Sequence, residues 1–260
     1  MRAARSARAG ADRHRPHRAV AATGLALAAV HSAPALCAHV SLLRSALGLR
    51  DHIEDTGAVA LTFDDGPDPR GTPATLAVLA DASARATFFL TGEQVRDHPS
   101  VAAEIVAAGH DVGLHGFRHR NLLRVGPQAL REDLARVRAA IADATGRSPQ
   151  IYRPPYGIVT PAALAVTRRL GYETVLWNRW GRDWRVRATP SSIASEVTRD
   201  LQGGEILLLH DSDRYSARGS WRATVAALPA IVHAVEARGL SFAALPRVTP
   251  RAAPQIRRLR

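Results

Sequence analysis

From residue 58 onward, short apolar runs alternate with longer stretches in which apolar residues recur every three or four positions. The runs at 58–63, 86–90, 111–114, 151–152, 174–178, 205–209 and 241–245 read as strands. The stretches at 72–83, 100–109, 127–145, 160–170, 190–202 and 221–238 read as helices. Thr72-Pro73 and Thr160-Pro161 each set a capping hydroxyl before a proline at the first helical position. Gly109, Gly146, Gly171 and Gly239 fall where helices should stop, since a helix often ends on a left-handed residue. Strands alternating with helices predict an α/β fold on a parallel sheet, either open and doubly wound or closed as a barrel.

The strand-poor beginning has a different character. Residues 2–18 are rich in Arg, residues 19–30 are apolar without charge, and Ala33-Pro34-Ala35 supplies small residues. A basic start, an apolar stretch and a small-residue site describe a secretory signal. The apolar stretch is short for a membrane span, which needs about 20 residues, but its continuation to Leu43 keeps an uncleaved anchor open. The expectation is a protein secreted or anchored at the cell envelope, with a cytoplasmic location as the alternative. Three segments follow: a leader at 1–50, a catalytic domain at 51–246 and a Pro- and Arg-rich tail at 247–260.

Composition bounds the reading. The chain has 260 residues, 46% hydrophobic and 22% charged, which excludes wholesale disorder and collagen-like or coiled-coil rods. Its net charge of +12 resembles a nucleic-acid signature until it is located. Residues 1–18 hold six Arg and one Asp, and residues 247–260 hold five Arg and no acid. The middle is nearly neutral, so no nucleic-acid partner is expected. Contact with a membrane or an anionic polymer through the two basic tails stays open. Every basic residue is Arg, as a GC-rich coding sequence favours. The single cysteine, Cys37, excludes an internal disulfide and a multi-thiolate metal site, so a metal would have to be held by His, Asp and Glu.

Polar clusters stand at five of the strand ends, where active sites of parallel α/β folds form. They are Thr62-Phe63-Asp64-Asp65-Gly66-Pro67, His115-Gly116-Phe117-Arg118-His119, Arg153-Pro154-Pro155-Tyr156-Gly157, the span from Trp177 to Asp183-Trp184, and Leu208-Leu209-His210-Asp211. Any one is weak evidence; an Asp pair is usually a cap or turn, and a His pair is often incidental. Together, Asp65, His115 and His119 make a facial ligand set that leaves positions open for water and substrate. Asp64 is the candidate base, beside a Gly-Pro that breaks the strand. His210 is the candidate acid, with Asp183 to orient it and hold it protonated. Arg153 can pair with Asp64 and keep it ionised.

These clusters resemble, in order, the five motifs of the polysaccharide deacetylase family, also called the NodB homology domain or carbohydrate esterase family four. The likeness covers about residues 57–246. It implies a distorted (β/α) barrel of seven or eight parallel strands. It implies Asp64 as base, Asp65, His115 and His119 as metal ligands, Arg153 tuning the base, and Asp183 orienting His210, the acid. It also implies that the backbone N–H of Tyr156 completes an oxyanion hole, and that Trp184 and Leu208 wall an acetyl-methyl pocket. The cofactor implied is one divalent metal ion, zinc by preference, with cobalt, manganese and nickel as alternatives.

Two positions depart from the family pattern. Gly116 stands where a Ser or Thr hydroxyl usually steadies the metal loop, and Trp180 stands where an Asp usually opens the fourth motif. Trp177, Trp180 and Trp184 cluster within eight residues. Trp180 is a candidate to stack on a sugar ring, while Trp177, on the strand, reads as packing. The expected activity is hydrolysis of N-acetyl groups on an N-acetylglucosamine-type polysaccharide or oligosaccharide, peptidoglycan- or chitin-like, by a monomer. The alternatives are an O-acetyl esterase on xylan, a hydrolase of a small-molecule amide, and a non-catalytic carbohydrate-binding protein of the envelope.

Overall fold

The computed structural model describes residues 41–245. The Arg-rich and apolar parts of the leader before residue 41, Cys37 and the basic tail lie outside the described residues. Among the described residues, no helix is long and apolar enough to cross a membrane.

A short helix α1 (Ser41–Ala46) leads to β1 (Ala58–Asp64), α2 (Gly71–Asp81) and β2 (Thr87–Leu90). Two helices follow, α3 (Gly92–Asp97) and α4 (Pro99–Ala107), then β3 (Asp111–Leu114) and the long α5 (Pro127–Thr145). The second half runs β4 (Ile151–Tyr152), α6 (Pro161–Arg169), β5 (Glu173–Thr174), β6 (Arg179–Trp180), α7 (Pro190–Thr198), β7 (Ile206–His210), α8 (Ser220–Glu236) and β8 (Ser241–Ala243). The strands pair in parallel in the order β5-β4-β3-β2-β1-β7-β6, with β8 beside the start of β1. The sheet is curled, and helices surround it. The barrel-type α/β fold expected from the sequence is the one present.

The strand pattern has period two, and this decides what faces inward. Along β1, Val59, Leu61 and Phe63 join the large cluster under the helices, while Ala58 and Ala60 face a smaller inner cluster. Thr62 and Asp64 continue that inner face by alternation. On β7, Leu207 and Leu209 point outward, and Ile206 and Leu208 inward, so His210 falls on the inner side with them. On β3, Val112 and Leu114 pack outward, which turns Gly113 and the following His115 inward. Gly113 must lack a side chain, because a Cβ there would sit 2.6 Å from the Phe89 ring.

The single strand expected at 174–178 is a bent run that serves both edges of the sheet. It pairs with β4 at Glu173–Thr174 and with β7 at Arg179–Trp180. Between the two pairings, Val175 N–H still donates to Tyr152 O and Asn178 N–H to Ile206 O, and residue 50 bonds to the bend itself. Arg50 N–H donates to Thr174 O at 3.1 Å, and Leu176 N–H donates to Arg50 O at 2.7 Å. Ile53 N–H then donates to Gly204 O at 2.8 Å. Residues 50–53 therefore fill the gap between the two edges.

The folded unit thus begins before residue 51, where the sequence reading placed the boundary. Leu49 and Ile53 are buried in the inner cluster, and buried Arg44 is paired with Asp51. One cap also differs from expectation. The Thr160 hydroxyl accepts from Ala163 N–H and caps α6, but α2 starts one residue before Thr72. There the Asp68 carboxylate takes the cap, accepting from Arg70 N–H at 2.9 Å and Gly71 N–H at 2.8 Å. The freed Thr72 hydroxyl donates to the Asp211 carboxylate and accepts from Asp68 N–H.

Candidate active site

The carboxyl ends of the strands converge on a cavity of about 250 Å³. Its walls include Asp64, Asp65, His115, His119 and His210, with Tyr156, Trp177, Trp180, Trp184 and Leu208. Two residues missed by sequence reasoning complete it: Tyr215 and Ser216, from the loop between β7 and α8. A larger cavity of about 500 Å³ lies at the opposite ends of β3, β4 and β5, against Asp111, Ile151 and Glu173, away from every motif.

Asp64 is the last residue of β1 and pairs in register with His210, the last residue of β7. One residue on, Asp65 has φ 75°, a left-handed conformation that costs most side chains but that Asp tolerates. The reversal turns Asp65 toward the His pair. Its Oδ1 lies 3.4 Å from His115 Nε2 and 3.4 Å from His119 Nε2. That oxygen is buried and has no hydrogen-bond partner.

His115 Nδ1 lies 2.9 Å from Arg153 O. A carbonyl only accepts, so Nδ1 carries the proton and Nε2 presents its lone pair toward Asp65. His119 is held by rings: Tyr215 stacks on it at 4.3 Å, and the Tyr156 ring meets it edge-on at 4.3 Å. Burial pulls His119 down to about 4, against the Asp65 charge, so at neutral pH its imidazole is neutral and able to ligate. Burial would raise Asp65, but the facing His115 and the charges of His210 and His119, imidazolium at the acid pH where this carboxyl titrates, outweigh it and hold the carboxyl at about 2. A buried carboxylate oxygen without a donor, facing two imidazole nitrogens within 4.8 Å of one another, fits a divalent cation.

Arg153 is wholly buried in the barrel interior. Its Nη1 donates to Asp64 Oδ1 and to Thr62 Oγ1, each at 2.8 Å, and Nη2 donates to Leu176 O at 3.1 Å. The guanidinium lies 4.1 Å over the Phe89 ring. A buried cation persists only when paired and saturated with acceptors, and this one is. It fixes one oxygen of Asp64 and leaves Oδ2 toward the cavity, 3.8 Å from His115 Nε2.

Asp183 accepts three bonds: from His210 N–H at 2.7 Å, from His210 Nδ1 at 2.9 Å and from the Thr224 hydroxyl at 2.8 Å. His210 Nε2 therefore faces the cavity, 3.9 Å from Asp65 Oδ2. Burial would lower His210, but Asp183 and the more distant Asp65 and Asp64 raise it to about 10, an imidazolium at neutral pH. Trp184 meets the His210 ring edge-on at 5.6 Å. Trp180 stands between Trp177 and Trp184, at 5.9 and 5.7 Å, and is half-buried at the cavity wall. Tyr156 has φ 60°, a strained conformation for a large side chain, within the turn Pro155–Gly157.

The loop 115–119 is held without the missing hydroxyl. The carbonyls of Gly116 and Phe117 accept from the N–H groups of Gly92 and Glu93, at 3.0 Å each. The N–H groups of Phe117 and Arg118 donate to the Asp133 carboxylate on α5, at 2.6 and 3.3 Å. No motif flagged Asp133. Its signal in the sequence is only an acid on the helix after the His pair, indistinguishable from a surface charge.

The family model described as polysaccharide deacetylase matches residues 52–175. A peptidoglycan-N-acetylglucosamine deacetylase of Bacillus cereus is 33% identical over 207 residues, which are 75% of this chain and 94% of that protein. A chitooligosaccharide deacetylase of Sinorhizobium fredii is 36% identical over 200 residues, 74% of this chain and 93% of the relative. Among solved structures, a family 4 acetyl xylan esterase from Clostridium thermocellum, in complex with a cobalt ion, superposes with a TM-score of 0.65 at 28% identity. That likeness covers 72% of this chain and 87% of the esterase.

Proposed function

Because the chain belongs to the polysaccharide deacetylase family, we propose that it hydrolyses the N-acetyl group of an N-acetylglucosamine-type glycan, releasing acetate and a free amino sugar. The observation that carries the reading is the pairing of Asp64 with His210 on adjacent strands, both within 4 Å of the Asp65, His115 and His119 set. The relatives named for peptidoglycan and chitooligosaccharide work favour amide hydrolysis, and the xylan esterase keeps the ester reading as the alternative.

Asp65, His115 and His119 would hold a divalent ion, zinc first by donor set. The ion supplies Lewis-acid polarisation of the acetyl carbonyl and makes water more acidic. Asp64, with one oxygen fixed by Arg153, takes a proton from the attacking water through the other. The water oxygen bonds to the acetyl carbon, and the Tyr156 N–H steadies the negative charge that develops on the carbonyl oxygen. His210, protonated against Asp183, gives its proton to the leaving nitrogen as the carbon–nitrogen bond breaks. Trp184 and Leu208 wall the methyl group, and Trp180 offers an indole face to the sugar ring.

Acetate release from N-acetylated chito-oligomers, peptidoglycan and acetylated xylan, each with and without chelator, tests this. Chelator-sensitive release from an amide substrate is expected. Release from xylan alone would reverse the bond preference, and no release from any substrate would leave a binding protein.

A further inference from the structure

Past His115, whose N–H continues the ladder to Leu90 O, four backbone groups fix the loop that carries both imidazoles, and two of the four depend on one side chain. The carbonyl side is tied to the opening of α3 through Gly92 and Glu93. The N–H side, at Phe117 and Arg118, is tied only to Asp133. We propose that Asp133 is the positioning residue of this loop, doing from the α5 side what a hydroxyl after His115 would do from within it.

Three observations converge on this. Gly116 has φ 84°, and a Cβ there would sit 3.1 Å from Asp133 Oδ2 and 3.0 Å from Arg118 O. The path that brings Phe117 N–H to Asp133 is one that a side chain at 116 would strain, so Gly116 and Asp133 are two halves of one arrangement. One turn along α5, Arg136 lies 3.8 Å over the Phe117 ring. The residue whose N–H is clamped is therefore also gripped through its side chain by the same helix face. Finally, Phe117 fills the space at Gly92, where a Cβ would sit 2.3 Å from the ring. The two sides of the clamp press on a single residue between the two imidazoles.

This rests on the proposed function only in taking His115 and His119 as ligands. The test measures zinc affinity by competition with a chromogenic chelator, beside the melting temperature of the metal-free protein and amide hydrogen exchange at Phe117 and Arg118. Asp133→Ala should weaken zinc binding by about 10- to 100-fold, the usual cost of losing a group that orients ligands. Exchange at the two amides should rise while the metal-free melting temperature changes little. Asp133→Asn, which keeps one acceptor oxygen, should fall between and covers the case in which the Ala variant does not fold. Unchanged zinc affinity in both variants would overturn the proposal. So would an affinity loss that only follows a collapse of the metal-free melting temperature. His115→Ala separates the two readings: if that variant also binds zinc normally, the ligand assignment itself fails.

Discussion

Asp64 and His210 sit side by side at the ends of neighbouring strands, yet their partners set them to opposite tasks. Arg153 fixes one oxygen of Asp64 and leaves the other free, and Asp183 holds His210 as a cation. In the proposed assignment neither ligates the metal, so Asp64→Asn and His210→Ala should each keep stoichiometric zinc while kcat falls on the order of 10²-fold or more. Loss of zinc in step with activity, read by metal analysis of the purified variants, would move Asp64 into the ligand set. Behind them, Asp211 is fully buried against Gly66, where a Cβ would lie 2.6 Å from its Oδ1. Burial pushes this carboxyl up to about 7; the Thr72 hydroxyl opposes the rise, and the charges of Asp68 and Asp65 add to it. Between the ordinary carboxylate value near 4 and about 7, the folded chain keeps a proton that the unfolded chain has lost. Stability is therefore lost as pH rises through that window, by about 1.4 kcal/mol per unit. Asp211→Asn removes this dependence, so urea melts should show the variant gaining on the parent from pH 4.5 to 7. A constant gap would mean that Asp211 ionises normally.

At the scale of elements, the most exposed dependence is on the segment before β1. Residues 50–53 bridge the two edges of the sheet, and Leu49 and Ile53 bury their side chains inside it. Each such side chain contributes about 1.5–3 kcal/mol. A chain beginning at residue 54 should melt about 10 °C or more below one beginning at 41, by the usual conversion for a domain of this size. Equal melting temperatures would make the segment an ornament. The sequence displayed the strands and helices well because their periods differ: 111–114, 127–145 and 151–152 coincide with the elements found. It displayed the site equally well, because strand ends in a parallel sheet point one way and the motifs are dense there. It hid whatever depends on pairing across the chain. The run at 173–180 shows no sign that its two ends serve different neighbours, and Arg50 shows no sign of filling the gap. Tyr215 and Asp133 were hidden for the same reason. A lone aromatic in a polar loop and a lone acid on a helix acquire meaning only from the ring or the amide they meet.

At the scale of the molecule, charge is unevenly placed. The connections at 115–126, 181–189 and 211–219 hold eight Arg against three Asp, while the rest of residues 41–245 holds 16 Arg against 19 acids. Codon preference explains Arg in place of Lys but not this segregation. Arg118, Arg120, Arg185, Arg187, Arg214 and Arg218 are exposed on those connections, which also supply His119, Trp184 and Tyr215 to the cavity. Such a field raises encounter rates with anions and is screened by salt. Raising salt from 50 to 500 mM should therefore lower kcat/KM for a carboxylate-bearing glycan on the order of tenfold and leave a neutral chito-oligomer nearly unchanged. Equal salt responses would remove any electrostatic preference between them.

The strand order also has a consequence for the chain as it is made. The ribosome delivers Asp64, Asp65, His115 and His119 within the first half of synthesis, together with β2, one neighbour of β1. The neighbour on the opposite side, β7, arrives with His210 much later. The nascent chain thus contains all three proposed ligands while β1 still has an open side and the proposed acid is not yet made. Closing that side is the same event that brings in the proposed proton donor, so in the order of translation the proposed metal set is complete before the proposed acid exists.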